Sequence, residues 1–368
     1  MSPLHSPRLG WETTKDPLTE IALQNKNSLL LATLLFSVVA FSSAEAQAVK
    51  DSSSPCASYI NSDFPKAVLS NGSVQAVVYL PDTEKGYYRS TRFDWSGVVP
   101  CLTYKGHTYF GIWFKHYDPL INDAIAGPVE EFRSSDGFSS INYNEAKPGE
   151  LFIKPGVGVL RKVDDSPYNF GFRYPIVDLG KWKVRVKKDQ VTFTQTLQSP
   201  LGYAYVYEKT LKLDKHQPIL TLEHHLKNTG TKGIDTQVYD HDFFMLDGLS
   251  TGPGMAVHFA FEPQAKEPWE PRAKIDGKDI VYLQELGTGP GQAVAGFLTG
   301  YSSSPSDYDF KVENRNTGVG VEQTSESPIA QFNFWSIHTT ICPEAYIHVS
   351  VQPGQTGSWN IHYRFSAK

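Results

Sequence analysis

Three stretches of this chain concentrate residues able to do chemistry. The first is Leu220–Phe244 (LTLEHHLKNTGTKGIDTQVYDHDFF): a strand, an Asn-Thr-Gly turn, a second strand, then His241 beside two phenylalanines. A histidine suits proton transfer because its ordinary pKa lies near neutral pH, and it serves equally as a structural hydrogen-bonding residue. The second lies near the C-terminus, where Phe334-Trp335-Ser336 and Thr340-Ile341-Cys342-Pro343-Glu344-Ala345-Tyr346 precede a Pro353-Gly354 turn and an aromatic segment, Trp359–Phe365. Glu344 is its one carboxylate. The third is Gly86–Gly97 (GYYRSTRFDWSG), in which Arg89, Arg92 and Asp94 are interleaved with aromatic residues.

The third stretch has the makings of a sugar-binding edge. Aromatic faces stack on the C–H groups of a pyranose, while Arg and Asp hold hydroxyls through directed hydrogen bonds. Arg92 and Asp94 read equally as a surface salt bridge, worth little either way. A fourth segment, Ala126–Phe132 (AGPVEEF), offers the paired carboxylates Glu130 and Glu131 to the same kind of ligand.

Strands must position these groups. Period-two alternation is clean in Ile219–Leu226, and strand patterns recur at Ser73–Leu80, Gly97–Tyr104, Thr108–Phe114, Trp182–Val186, Val191–Leu197, Tyr203–Leu213, Ile234–Phe244, Ala293–Tyr301, Gln331–Ile337, Tyr346–Val351 and Ser358–Phe365. Turn chemistry separates them, as in Lys227–Gly233, Asp276-Gly277 and Pro353-Gly354. No sustained helical period follows the N-terminal region. So many antiparallel strands must be stacked as sheets to hide their edges, and a large all-β antiparallel sandwich follows. Asp118–Asp165 and Asp247–Asp279, rich in Gly, Pro and acids, read as irregular walls of a binding site.

Composition narrows the function classes. A net charge of -5 leaves no basic face for nucleic acid. Leu29–Phe41 is an apolar run too short to span a bilayer comfortably, preceded by Lys26 and followed by Ala44-Glu45-Ala46-Gln47-Ala48. This predicts a secretory signal over residues 1–48, with no stable membrane span after cleavage; the alternative is an anchor that stays attached. The preceding residues, with Asp16 and Glu20, are long for a signal's first region, and a start placed too far upstream would account for them. Residues 49–66 read as a linker or covering loop and 67–368 as the sandwich domain, giving a secreted or periplasmic protein. Cys56, Cys101 and Cys342 allow one bridge and one free thiol, with the pairing open. No CxxC motif or Cys/His cluster suggests a metal.

The strand, Asn-Thr-Gly turn and His241 element, together with the Trp335 strand, the Ile341–Glu344 strand and the Pro353-Gly354 turn, resemble the galactose mutarotase (aldose 1-epimerase) superfamily. The resemblance implies that fold's β-supersandwich, with His241 as the acid that protonates a sugar ring oxygen and Glu344 as the base. Glu322, in Gly320-Val321-Glu322-Gln323-Thr324, resembles the base of galactose mutarotases proper and is the rival; the short spacing from Glu344 to the Pro-Gly turn favours Glu344. Asp240 stands where the family often has Asn, which predicts a raised histidine pKa. Arg89, Arg92, Asp94, Glu130, Glu131 and Trp335 would bind the substrate, although relatives have active-site Arg or His where Glu130 and Glu131 stand. The implied reaction is anomer interconversion of a mono- or oligosaccharide by acid and base on opposite sides of the sugar, without metal or cofactor. A non-catalytic carbohydrate-binding protein is the alternative, and a lyase or hydrolase, which usually carries a further helical domain, is a third. Neither the sugar nor the oligomeric state is legible.

Overall fold

Alternating apolar and polar residues become strands here almost wherever the pattern is clean. A computed structural model describes residues 54–368; the expected signal over residues 1–48 lies outside them. Ten antiparallel strands form one sheet, in the order Ala273–Asp276, Asp279–Tyr282, Met255–Phe259, Asp309–Asn314, Val319–Thr324, Thr356–Ser366, Ile219–Asn228, Ala204–Leu213, Gln190–Gln198 and Lys181–Val186. Six form a second, in the order Gln264–Ala265, Val294–Thr299, Gln331–Ile337, Thr340–Val351, Ile234–His241 and Val129–Ser134. Smaller sheets of four and three strands add a flank. The all-β antiparallel sandwich expected from the sequence is the architecture found.

The two large sheets face one another across an apolar core. Phe132 of the six-stranded sheet meets Tyr207 and Trp359 of the ten-stranded sheet edge-on, with centroids 5.4 and 6.2 Å apart. On Val129–Ser134 and Ile234–His241, even-numbered residues therefore point between the sheets and odd-numbered residues point outward. That alternation decides the fate of nearly every predicted site residue.

Several expectations change. The Val129–Ser134 strand was not among those predicted, since both its faces are buried and no apolar/polar alternation marks it. The predicted strand Thr108–Phe114 is reduced to His107–Thr108, after which Phe110 makes an isolated bridge to Phe244 and the chain carries Trp113 to the other side of the sheet. Ile234–Phe244 stops as a strand at His241 because Phe243 takes a positive φ of 47°. Residues 54–66 are more than a tether: they hold a helical turn, Ala57–Ile60, and the Cys56–Cys101 disulfide ties them to the strand Val98–Tyr104. Cys342 is free and buried.

Candidate active site

A cavity of about 470 Å³ opens on the outer face of the six-stranded sheet. His241 ends one central strand and Glu344 lies on its neighbour, Thr340–Val351. Their side chains meet, His241 Nε2 standing 3.3 Å from Glu344 Oε1. The imidazole lies flat on Phe243 (centroids 3.9 Å apart, planes 7° apart), and Phe243 lies flat on Trp113 at 4.9 Å and 9°. Trp335 and Phe93 close on the imidazole edge-on, at 5.5 and 5.6 Å. The left-handed backbone of Phe243, costly for a bulky residue, turns its ring back beneath the histidine.

Burial sets the protonation of both groups. His241 is pushed well below its ordinary pKa by burial and by repulsion from Arg92 and Arg133, which outweigh Glu131. Its Nδ1 is buried without a hydrogen-bond partner among the described residues. Glu344 is pushed up to about 7, by burial first, although Asn333 Nδ2 donates to its Oε2 at 2.9 Å. A histidine that prefers to be neutral thus touches a carboxyl that titrates near neutrality. The expected effect of Asp240 is corrected: its side chain points to the other face of the sheet and bonds Tyr363, so it does not raise the histidine. Acid and base also stand side by side rather than on opposite sides of a ligand.

The cavity floor beside them carries charge. Glu131 is fully buried and accepts from Arg92 Nε (2.9 Å), Lys154 Nζ (2.9 Å) and Tyr239 Oη (2.6 Å), with Arg133 Nε 2.8 Å away. Burial pushes this carboxyl up, and Arg133, Lys154 and Arg92 outweigh it, holding it well below the usual range. Burial draws Lys154 down to about 8. Arg92 also reaches Asp123 and lies 4.3 Å from the centre of the Phe170 ring. Aromatic groups complete the walls, among them Tyr168, Tyr346, Phe138 and Phe297.

Of the residues singled out in the sequence, His241, Glu344, Arg92 and Trp335 line this cavity. Glu131 lies just beneath it. The others do not. Arg89 turns away to the Thr83 carbonyl at 3.3 Å. Asp94 is enclosed by Ser96 and Tyr207, and Glu130 by Lys209 and His224, all between the sheets. Glu130 and Glu131 are separated because adjacent strand residues face opposite ways. Glu322 lies on the ten-stranded sheet, half-exposed, with Arg364 Nε at 3.5 Å. Asp123, Gly137 and Phe138 come from the irregular Asp118–Asp165 region, whereas Asp247–Asp279 contributes no lining residue.

Sequence reasoning missed Arg133, Lys154, Asn333, Tyr239 and Phe170. Arg133 had a signal: it shares the face of Glu131, two residues away. Lys154 ends the apolar tetrapeptide Leu151–Lys154, where a lysine is buried only if paired. Gly127 is also needed, since a Cβ there would stand 2.0 Å from the Asp242 carbonyl oxygen and push Val129–Ser134 from its place beside the His241 strand. Among the described residues no group of three or more His, Cys, Asp or Glu is arranged to hold a metal ion.

No protein-family model matches the chain, and no curated protein matches it. Solved structures do. A galactose mutarotase-like protein from Clostridium acetobutylicum is 11% identical, covering 82% of this chain and 95% of its own, with a TM-score of 0.51. A GalM/aldose epimerase homologue from C. elegans is 13% identical over 82% of this chain and 99% of its own, with a TM-score of 0.50. A protein from Synechocystis sp. PCC 6803 is 13% identical over 83% and 97%, also with a TM-score of 0.50. At such identities the likeness defines the fold: this chain has the galactose mutarotase-like fold.

Proposed function

We propose that the protein interconverts the anomers of a sugar by acid/base ring opening, as an aldose 1-epimerase-like isomerase. The observation that carries this reading is the contact between His241 and Glu344 inside an aromatic-walled cavity large enough for one sugar. Near neutral pH the pair holds one proton between them. One member gives a proton to the ring oxygen while the other takes the proton of the anomeric hydroxyl, and the C1–O5 bond breaks to leave an aldehyde. Rotation about C1–C2 and closure on the other face return both protons. Two neighbouring groups suffice because the ring oxygen and the anomeric oxygen are bonded to the same carbon. The aromatic walls supply faces for the sugar's C–H surface, and Asn333 orients the Glu344 carboxyl.

Anomer exchange followed by NMR or polarimetry on freshly dissolved α-sugars tests the proposal. Acceleration that His241→Ala and Glu344→Gln both abolish is the expected result. Sugar binding without acceleration in the wild type would instead favour a non-catalytic carbohydrate-binding protein. Export through the N-terminal signal belongs to the same proposal, and the Cys56–Cys101 disulfide supports it, since such bridges persist in oxidising compartments. Among the described residues no helix is long and apolar enough to cross a membrane.

A further inference from the structure

Cations outnumber anions along one wall of the cavity. Arg92, Arg133 and Lys154 converge on Glu131, and Asp123 takes a further bond from Arg92, so three positive groups face two negative ones. Arg92 spends its donors on the protein, with Nε on Glu131, Nη1 on Asp123 and Nη2 on Tyr239. Arg133 does not. Its Nη2 donates to Glu131 at 3.1 Å, its Nε stands 2.8 Å from the same carboxyl without making a hydrogen bond, and its Nη1 has no hydrogen-bond partner among the described residues. The side chain lines the cavity although the residue is only 7% exposed. Tyr168 and Phe170 flank the guanidinium, with ring centres 5.7 and 5.3 Å away, and hold it in one orientation. A buried cation in excess of its counter-charges is unfavourable unless something else neutralises it.

The place of Arg133 relative to the acid/base pair defines what that something is. Glu131 is paired with Tyr239 across the two strands, so a guanidinium seated on Glu131 lies level with Tyr239. His241 stands two residues further along the same strand, ~6.6 Å away at the rise of a β-strand. That step matches the span of a pyranose from its anomeric oxygen to the substituent on C6. We propose that the cavity takes a uronate, a pyranose whose C6 is a carboxylate, with the carboxylate on Arg133 Nη1 and the anomeric centre at His241 and Glu344. With Glu344 protonated, a single negative charge balances the single excess cation, whereas a phosphate dianion would exceed it. The planar guanidinium fork suits a carboxylate. The inference rests on the acid/base reading of the same cavity.

The test measures anomer exchange by NMR for sodium D-glucuronate and D-galacturonate against D-glucose, D-galactose and D-glucose 6-phosphate, with calorimetric binding of each. We expect kcat/KM for the uronates to exceed that of their neutral counterparts by about 10-fold or more, as a charged hydrogen bond commonly provides. Arg133→Met should bring that ratio toward one, and Arg133→Lys should keep part of it. If Arg133→Met does not fold, the wild-type ratio and the lysine variant decide. Neutral sugars turned over as fast as uronates would overturn the inference and leave the epimerase reading standing. Preference for glucose 6-phosphate would overturn the choice of a carboxylate. Uronate binding that Arg133→Met weakens, with no exchange of any sugar, would overturn the epimerase reading and support the anion site. Absence of both binding and exchange would overturn both.

Discussion

The strands Val129–Ser134 and Ile234–His241 carry two buried charged clusters, one on each face. The outward cluster contains His241, Glu344, Glu131, Arg92, Arg133 and Lys154. The inward cluster, between the sheets, contains Glu130, Lys209, His224, Asp94, Asp240 and Asp242. Both shift pKa values strongly. Burial raises Asp94 to about 6 and Asp240 to about 8 and carries Asp242 well up, while Glu130 is held down by Lys209 and His224 despite its burial. Perturbed titration therefore does not by itself mark a functional site.

Access separates the two. Inside, Lys209 pairs Glu130, His224 Nε2 meets the same carboxyl at 2.7 Å, and Tyr207 and Ser96 serve Asp94. Tyr363 contacts both Asp240 and Asp242, yet its hydroxyl has one hydrogen to donate, so one of these carboxyls must carry a proton. Outside, a cavity adjoins the cluster, His241 Nδ1 and Arg133 Nε have no hydrogen-bond partner among the described residues, and positive charge gathers around Glu131. The inward set is shut off between the sheets, although Asp240 Oδ1 has no hydrogen-bond partner among the described residues. The outward set is left open for a ligand.

Breaking the outward pair should have the largest effect. Glu344→Gln or His241→Ala should lower the exchange rate by roughly 10²–10⁴-fold, the usual contribution of general acid/base groups, and Glu344→Gln, which keeps the buried volume, should leave the denaturant midpoint close to that of the parent. Within the inward cluster, Lys209→Met strands Glu130 as a buried charge. It should reduce unfolding free energy by about 3–5 kcal/mol in urea titrations, with exchange per folded molecule preserved. A Lys209→Met protein as stable as the parent would mean that Glu130 does not depend on Lys209 for its charge.

The pH dependence sharpens the contrast. Asp240 has a folded pKa of about 8, above that of an unfolded carboxyl, so the native state binds more protons in between. Its contribution to stability is then fully present at low pH and is lost as pH rises toward 8. Asp240→Asn should flatten that decline, by a few kcal/mol at most, in denaturant midpoints compared between about pH 5 and pH 8. The outward cluster should show its pH dependence in rate instead. With Glu344 titrating at about 7, catalysed exchange should decline above that pH, by about 10-fold per unit at the limit, once the buffer rate is subtracted. A rate that climbs through pH 7 would show that the ionised carboxylate alone is the active form. The smallest effect belongs to Glu322→Gln, which should leave the rate within about two-fold, since surface changes remote from a site rarely matter.

Much of the fold was legible in the residues themselves. Ile219–Leu226 and Gln331–Ile337 alternate because one face of each meets the core, and such strands were placed to within a residue or two. Val129–Ser134 was invisible for the converse reason, since burial on both faces erases the alternation and its charged residues look like a loop. His241 and Glu344 were recognisable through the turn and strand elements around them. Lys154 was not, because nothing local to it tells that Glu131 stands beside it, and Arg133, two residues from Glu131, was hidden with the strand that carries both.

By itself the sequence determined the class of architecture, the N-terminal export signal as an expectation, and the two strands that bear His241 and Glu344. The architecture and the His241 strand follow from periodicity and composition, which are local properties of the chain, whereas the Glu344 strand rested on the family resemblance. Only the tertiary structure decided that His241 and Glu344 touch, that Glu322 lies on the ten-stranded sheet, and that Glu130 and Glu131 part to opposite faces. It also set the protonation of the pair, because burial and the approach of Arg92 act through space on residues far apart in the chain. Pairing register and desolvation are long-range quantities, and no window of sequence contains them.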